Sequence, residues 1–183
     1  RDGQVGRALQ ICLKDLQVPA VFLGRSDCDL TSESSIIEVL NRYQPQVIIN
    51  AAAYTAVDKA ESEQLQNDLI NHLAVKNLAE HCQQIDALLV HYSTDYVFNG
   101  MGEKPWQEDD STAPVNSYGQ AKRDGEIALE NTGVRFLNFR TSWVYASRGK
   151  NFIKTMLMLA KSKEQLTIIN DQVGTPTSAS LIA

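Results

Sequence analysis

Two periods of apolar residues alternate along the chain. Val5, Ala8, Leu9, Cys12, Leu13 and Leu16 recur at helical spacing, which places them on one face of a helix. Ala20 to Leu23 is a short apolar run closed by Gly24 and predicts a strand. A second helical stripe holds Ile36, Ile37 and Leu40, with Thr31 or Ser32 placed to cap it and Pro45 beyond its end. Val47 to Ile49 predicts a buried strand. Residues 64–83 predict a long helix with Leu73, Leu78 and Cys82 among its apolar positions, and Leu88 to Tyr92 a further strand. A loop rich in Gly, Pro, Asp and Ser runs from 99 to 117 and leads into a helix at Tyr118. A strand at 136–139, a helix at 151–162 and a strand at Leu166 to Ile169 complete the pattern. Strands alternating with helices imply an α/β fold whose doubly wound parallel sheet is covered on both faces.

Composition narrows the functional classes. The 183 residues suffice for one well-filled domain and part of a second. A formal net charge of -5 gives no bulk attraction to nucleic acid or an anionic membrane. No apolar run is long enough to span a bilayer and no signal-peptide pattern opens the chain. Cys12, Cys28 and Cys82 are odd in number and widely spaced, which suggests neither a zinc site nor a disulfide framework. Cys12 and Cys82, on apolar helix faces, are expected to be buried thiols, and a reducing cytoplasm fits them. His72, His81 and His91 lack metal-ligand spacing and are expected to be structural or exposed, so no metal site is predicted.

Candidate chemistry centres on Tyr118-Gly119-Gln120-Ala121-Lys122, which follows a strand ending in Ser93-Thr94-Asp95. Residues four apart share a helix face. A phenol ordinarily holds its proton until about pH 10, and a nearby ammonium lowers that value. The pair therefore suits a proton donor to a carbonyl undergoing reduction, although YxxxK alone also occurs as plain helix surface. Arg1 to Gly6 reads as a strand-to-helix phosphate turn without its strand, followed at once by the first apolar stripe. Asn50 to Thr55, small residues after a buried strand, can let a cofactor pass close to the backbone or can simply pack. Gly24-Arg25-Ser26 falls where dinucleotide folds meet the adenine ribose. An arginine there suits a 2'-phosphate, or it is a solvated loop cation.

These segments, taken in order, resemble the dTDP-4-dehydrorhamnose reductase family within the extended short-chain dehydrogenase/reductase superfamily. The matching stretches are Gly3 to Gly6, Asn50 to Glu61, Tyr92 to Phe98, Tyr118 to Lys122, Arg140 to Tyr145 and Asp171 to Thr177. The resemblance implies a Rossmann-type NAD(P)-binding domain over 1–140, its first strand missing, and a region at 141–183 leading into a truncated substrate domain. It implies that Tyr118, Lys122 and Thr94 are catalytic. It assigns the cofactor, NADPH or NADH with Arg25 favouring NADPH, to Gly3, Gln4, Val5, Arg25, Asp29, Leu30, Ala53, Tyr54, Thr55, Tyr92, Tyr118 and Lys122. It assigns the dTDP-sugar to Thr94, Asp95 and Trp143. Asp29-Leu30 equally fits a turn and a helix staple, Thr94 a strand-terminal backbone bond, and Trp143 core burial.

The implied reaction reduces dTDP-4-dehydro-6-deoxy-L-mannose to dTDP-L-rhamnose for polysaccharide synthesis. Tyr118 protonates the alkoxide, and Lys122 lowers the Tyr118 pKa and holds the nicotinamide ribose. Sugar-nucleotide dehydratases of the superfamily carry Asp-Glu after the threonine. Asp95-Tyr96 here argues against dehydration. Another sugar-nucleotide epimerase or reductase, or a non-catalytic regulatory subunit of methionine adenosyltransferase, stays open as an alternative. A homodimer stays open, as does a Mg2+ ion, which the resemblance to the full-length family leaves possible.

Overall fold

The computed structural model describes residues 1–183. They form two compact units, one of residues 23–140 and one of residues 1–22 with 141–183.

In the first unit, β1 (Val47–Asn50) runs parallel to β2 (Leu88–Thr94), with Val47 opposite Leu88 and Asn50 opposite His91. β3 (Phe136–Thr141) lies on the other side of β2. Period-two geometry sorts β2 cleanly. Leu89, His91 and Ser93 are buried, while Leu88, Val90 and Tyr92 on the opposite face are half-buried. The helix α2 (Glu33–Tyr43) starts at Ser32, whose hydroxyl accepts from the Ser35 amide. Ser32 rather than Thr31 is thus the cap. Ile36 and Leu40 of α2 join Leu89 in one core.

The long predicted helix exists but is not uniform. After the single turn α3 (Val57–Ala60) come α4 (Gln64–Asp68), a π-helical turn (Leu69–Leu73) and α5 (Ala74–Gln84). Ala74, Val75, Leu78, Ala79 and Cys82 of α5 pack into the same core. A short 3₁₀ turn (Asp95–Val97) follows β2, and α6 (Ser117–Thr132) closes the layer with Leu129. Two glycines let α6 approach its neighbours. A Cβ at Gly119 would run into the Tyr96 carbonyl oxygen, and one at Gly125 into the Asn71 carbonyl oxygen of the π turn. At both positions only hydrogen leaves room for backbone-to-helix contact.

In the second unit, α1 (Gln4–Asp15) buries Gly6 and Leu9 and packs against α8 (Ala179–Ile182). β4 (Val144–Tyr145) pairs in parallel with β5 (Thr177–Ser178), and α7 (Phe152–Leu159) is capped by Asn151.

Four expectations need correction. The strand at Val47 to Ile49 forms but is not buried, since Val47 is exposed and Ile48 and Ile49 are half-buried at one edge of the three-stranded sheet. Residues 20–23 and 166–169 are not strands. Extended apolar runs become strands only where a neighbour takes their backbone hydrogen bonds, and neither sheet offers one. Val21, Ile168 and Ile169 are accordingly exposed, and the pairing partner in the C-terminal region is Thr177–Ser178. Cys12 is only half-buried, whereas Cys82 is fully buried.

A buried ion pair fastens α6 to β3. Glu126 is 1% exposed. It accepts from Arg140 Nε at 3.0 Å and Nη2 at 2.8 Å, and from Arg123 at 3.2 Å. Burial works to raise the Glu126 pKa, but hydrogen bonds from Arg140, Ser93 and Asn138 prevail and hold it below the usual carboxylate value. A depressed folded-state pKa means that the stabilisation is complete above the unfolded pKa and is lost as pH falls through the lower folded one. Glu126→Gln is expected to cost about 3–5 kcal/mol near neutrality, the scale for breaking a buried pair, and to flatten the acid limb of stability against pH. Urea unfolding across the acid range checks both, and a variant with the parental midpoint would show that the pair carries no stability.

Candidate active site

Tyr118 and Lys122 stand one turn apart on the buried face of α6, 8% and 1% exposed. The helix start that places them is tied down four times. Asn116 accepts from the Gly119 amide at 2.7 Å, and the Glu61 carboxylate accepts from the Ser117 amide and hydroxyl at 2.8 and 2.9 Å. Asn67 Nδ2 donates to the Ser117 carbonyl at 2.8 Å. A carboxylate at a helix N-terminus is favoured by the unpaired amides there, and these bonds hold the Glu61 pKa down.

Thr94 ends β2 beside this face. Its hydroxyl donates to Asp95 Oδ1 at 3.1 Å and accepts from the Tyr96 amide at 3.2 Å. The local backbone bond foreseen for a strand-terminal threonine is therefore present, and Thr94 hydrogen-bonds with Tyr118 as well. The Tyr96 ring meets Tyr118 edge-on, with centroids 5.6 Å apart. The structure thus brings Thr94, Asp95, Tyr118 and Lys122 together. Tyr92 joins them through its carbonyl, which accepts from Lys122 Nζ at 2.6 Å, while its ring stacks on Phe139.

The electrostatics differ from the expectation that Lys122 lowers the Tyr118 pKa. Burial pushes the Tyr118 phenol up to about 12, outweighing the bond with Thr94, and Asp95 adds to the rise. Lys122 itself is lowered to about 8 by burial, with Glu126 pulling the other way. Its ammonium nitrogen engages His91 Nε2 at 3.1 Å and the Tyr92 carbonyl. Desolvation is the largest influence on both groups in this arrangement.

Of the remaining predicted residues in this unit, Ala53 and Thr55 are exposed at the carboxyl end of β1, and Arg25 is an exposed cation. Asp29 makes a turn. Its Oδ1 accepts from the Thr31 amide and hydroxyl at 3.0 and 2.8 Å, bonds that hold its pKa down, and Leu30 packs on the core. In the other unit, Gly3 caps α1 with nothing within 4 Å of where its Cβ would be. Gln4 donates to the Val144 carbonyl at 3.2 Å and accepts from Asn151 at 2.9 Å, and Val5 is half-buried. Trp143 is 40% exposed, adopts a left-handed φ of 46° and leans on Phe152 with centroids 5.6 Å apart. It is not buried in a core.

Sequence reasoning passed over the residues that hold this arrangement. Asn71, on the π turn, accepts from the Tyr54 amide at 3.1 Å and donates to the Tyr54 carbonyl at 2.9 Å. It also donates to Asn67 Oδ1 at 2.8 Å. Asn67 and Asn71 are almost fully buried and four apart. Polar residues at that spacing on a buried helix face were the available signal. His91, placed among structural histidines, proves to contact Lys122, and Asn50 contacts His91. Asp68 and His72 meet Asp124 of α6 with ligand atoms within 4.8 Å of one another. Histidine spacing could not reveal this, since the third member comes from another helix. A groove of about 430 Å³ runs past Asp68, Ser117, Gln120 and Asp124, beside the Gln120 face of α6 rather than the Tyr118 face.

Asn71 serves Tyr54 as a neighbouring strand would. Asn71→Leu keeps the volume but strands the Tyr54 amide and carbonyl, at about 1–3 kcal/mol for each buried group left unpaired. The Tyr54 amide is expected to lose protection in hydrogen exchange and the melting temperature to fall. Parental protection would show that the loop is held by other means.

A family model described as RmlD substrate binding domain matches residues 1–183. The dTDP-4-dehydrorhamnose reductase of Escherichia coli (strain K12) is 48% identical over 186 residues, covering 100% of this chain and 62% of that protein. The crystal structure of a dTDP-4-dehydrorhamnose reductase from Clostridium acetobutylicum superposes with a TM-score of 0.95 at 38% identity, covering 99% of this chain and 64% of that one. The enzyme of that name from Bacillus anthracis, solved in complex with NADP, gives 0.94 at 36% identity with the same coverage. The chain therefore spans a little under two thirds of the relatives it matches. Its fold is the Rossmann-type doubly wound α/β fold, and with a family model matched from end to end, the chain belongs to the RmlD substrate binding domain family.

Proposed function

We propose that the protein carrying this chain reduces the 4-keto group of a dTDP-linked 4-dehydro-6-deoxyhexose, converting dTDP-4-dehydro-6-deoxy-L-mannose to dTDP-L-rhamnose in nucleotide-sugar synthesis for cell-surface polysaccharide. One observation carries the reading. A buried tyrosine and lysine share a helix face beside a threonine hydroxyl, in a chain 48% identical to a reductase of that name.

The residues fit a nicotinamide dinucleotide. Exposed Ala53 and Thr55 offer close backbone approach at the carboxyl end of β1, the usual ligand edge of such sheets. Gly3 at the start of the twelve-residue α1 suits a phosphate, and Arg25 suits a 2'-phosphate. We assign Gln4, Val5, Asp29, Leu30, Tyr54, Tyr92 and Lys122 to the same cofactor, and Thr94, Asp95 and Trp143 to the sugar nucleotide. Residues 1–140 would then form the cofactor domain, with 141–183 leading into a substrate domain. Bound there, NADPH or NADH supplies hydride to the sugar C4.

The protein's own task is the proton. A phenol held up at about 12 stays protonated at neutral pH and is loaded to donate. Its O–H bond breaks as an O–H bond forms on the C4 oxygen, and Thr94 orients that oxygen. No helix is long and apolar enough to cross a membrane. A cytoplasmic site for this chemistry is part of the proposal, as is a homodimer.

Tyr118→Phe keeps the ring and removes the donor. Cofactor binding is expected to survive while reduction of the enzymatically prepared keto sugar, followed by NADPH oxidation, falls by about 10²-fold or more. Near-parental turnover would sink the assignment. Arg25→Ala is expected to weaken NADPH more than NADH in a binding titration. Equal losses would mean that Arg25 does not read the phosphate.

A further inference from the structure

Gln4, the first residue of α1, joins that helix to two other segments of its unit. Its Nε2 donates to the Val144 carbonyl at 3.2 Å, and its Oε1 accepts from Asn151 Nδ2 at 2.9 Å. Backbone groups fix which way both amides face. The Val144 carbonyl can only accept, so it takes the Gln4 NH2. The Lys154 amide can only donate, and it gives to Asn151 Oδ1 at 3.0 Å. That leaves the Asn151 NH2 for Gln4 Oε1 and for the Ala146 carbonyl at 2.9 Å. Gly149, at a φ of 83°, lies so close that a Cβ there would sit 2.9 Å from Gln4 Cγ. The side chain is thus gripped by the start of β4, by the loop after it and by the cap of α7.

The segment that Gln4 holds in turn carries Trp143. A bulky residue at a φ of 46° is an outlier that only its surroundings can maintain. Three contacts do so. The Trp143 carbonyl accepts from the Thr177 amide at 3.4 Å. The Gly174 backbone lies against the indole, where a Cβ would collide with Nε1. Gln4 holds the next carbonyl along, that of Val144. The indole, 40% exposed and leaning on Phe152, is therefore presented in one pose. At the other end of this connection, Gly3 gives α1 no side-chain cap. The first amides of the twelve-residue helix, that of Gln4 among them, are the donors suited to a cofactor phosphate.

One residue thus offers its backbone to one ligand and braces the surface for the other. We propose that Gln4 is a positioning residue that couples the two, so that cofactor on the phosphate turn steadies Trp143 and the sugar nucleotide binds with positive cooperativity. The inference rests on the proposed assignment of the phosphate turn to the cofactor and of Trp143 to the sugar. A phosphate that accepts from the Gln4 amide fixes that residue's backbone, and a fixed backbone leaves the side chain less freedom to release Val144. When the grip is released, the Trp143 backbone can relax from its left-handed conformation. A sugar must then restore the pose as it binds, which weakens its apparent affinity. By linkage, the sugar nucleotide tightens the cofactor by the same factor.

The test uses the full-length protein that carries this chain and two ligands that cannot react with each other, NADPH and dTDP-L-rhamnose, both already reduced. Calorimetric titration of dTDP-L-rhamnose with and without saturating NADPH is expected to show tightening of about fivefold or more, and the reverse titration the same factor. Gln4→Met keeps the length and the backbone amide but removes both side-chain bonds, and is expected to bring the factor to about one. Asn151→Asp keeps the Lys154 cap and loses the donation to Gln4. It is expected to lower the factor as well, and it decides the case if Gln4→Met does not fold. No tightening in the parental protein overturns the proposal. An unchanged factor in the variants overturns it too, even with both affinities reduced, because Gln4 is then only structural. A second measurement needs no sugar. 5-Fluorotryptophan labelling gives Trp143 a 19F signal, assigned by its loss in Trp143→Phe. NADP+ is expected to move this signal in the parental protein and not in Gln4→Met. Equal movement in both would come from the cofactor itself and would overturn the brace. If dTDP-L-rhamnose does not bind while NADP+ moves the signal only with Gln4 in place, the assigned substrate fails while the coupling of the phosphate turn to Trp143 stands.

Discussion

The structure depends on how one helix buries charge. Lys122 and Glu126, each 1% exposed, project from α6 toward the sheet, and a charged group there is tolerable only with partners in place. The partners occur at the right period. His91 and the Tyr92 carbonyl on β2 meet Lys122, Ser93 on β2 and Arg140 on β3 meet Glu126, and Leu129 follows into the core. Side chains one helical turn apart thus match groups along β2. A slip of α6 by one residue would swing both charges off their partners, so the seam specifies a single register. Tyr118 then has no freedom in where it lands, and it lands beside Thr94.

That seam explains what was legible in the chain and what was not. Tyr118 and Lys122 could be read because both lie on one helix and spacing alone puts them on one face. Thr94 could be read because a strand end carries it. The contacts of His91 with Asn50 and with Lys122 could not be read, because they join two strands and a helix whose register only the fold supplies. Asn71 was hidden for a further reason. The α period runs straight through residues 69–73, and nothing in the hydrophobic pattern marks the π turn that aims Asn71 at Tyr54. The failed strands at 20–23 and 166–169 have the opposite cause. Their apolar runs carry the local preference, but strand formation is a pairwise event, and preference without a partner leaves only exposed extended chain.

The polar network around the loop after β1 follows the same economy of means. Asn71 offers one acceptor and donors to a single residue, satisfying both backbone groups of Tyr54 as a ladder neighbour would. Asn67 passes the connection on to the Ser117 carbonyl at the start of α6. The loop that includes Ala53 and Thr55 and the helix that carries Tyr118 are therefore set by the same pair of buried amides. α4 carries Asn67 and the π turn carries Asn71, both buried, and Gly125 allows α6 to lie close against the turn's backbone. Wide or distorted turns of this kind recur where a helix must present a side chain that regular geometry would misdirect.

Burial also decides the direction of the proton chemistry. In a solvated YxxxK pair the ammonium is the stronger influence and the phenol drifts toward phenolate. Here desolvation acts on both partners, raising Tyr118 and lowering Lys122, so each moves toward its neutral form. For the phenol, burial outweighs the influence of its neighbours, which is why the expected lowering of Tyr118 does not arise from spacing alone. A group that must take a proton from substrate gains from a phenolate at rest, whereas a group that must give one is disabled by it. The depth at which this helix face is buried thus keeps Tyr118 in the protonated form that the proposed reduction draws on.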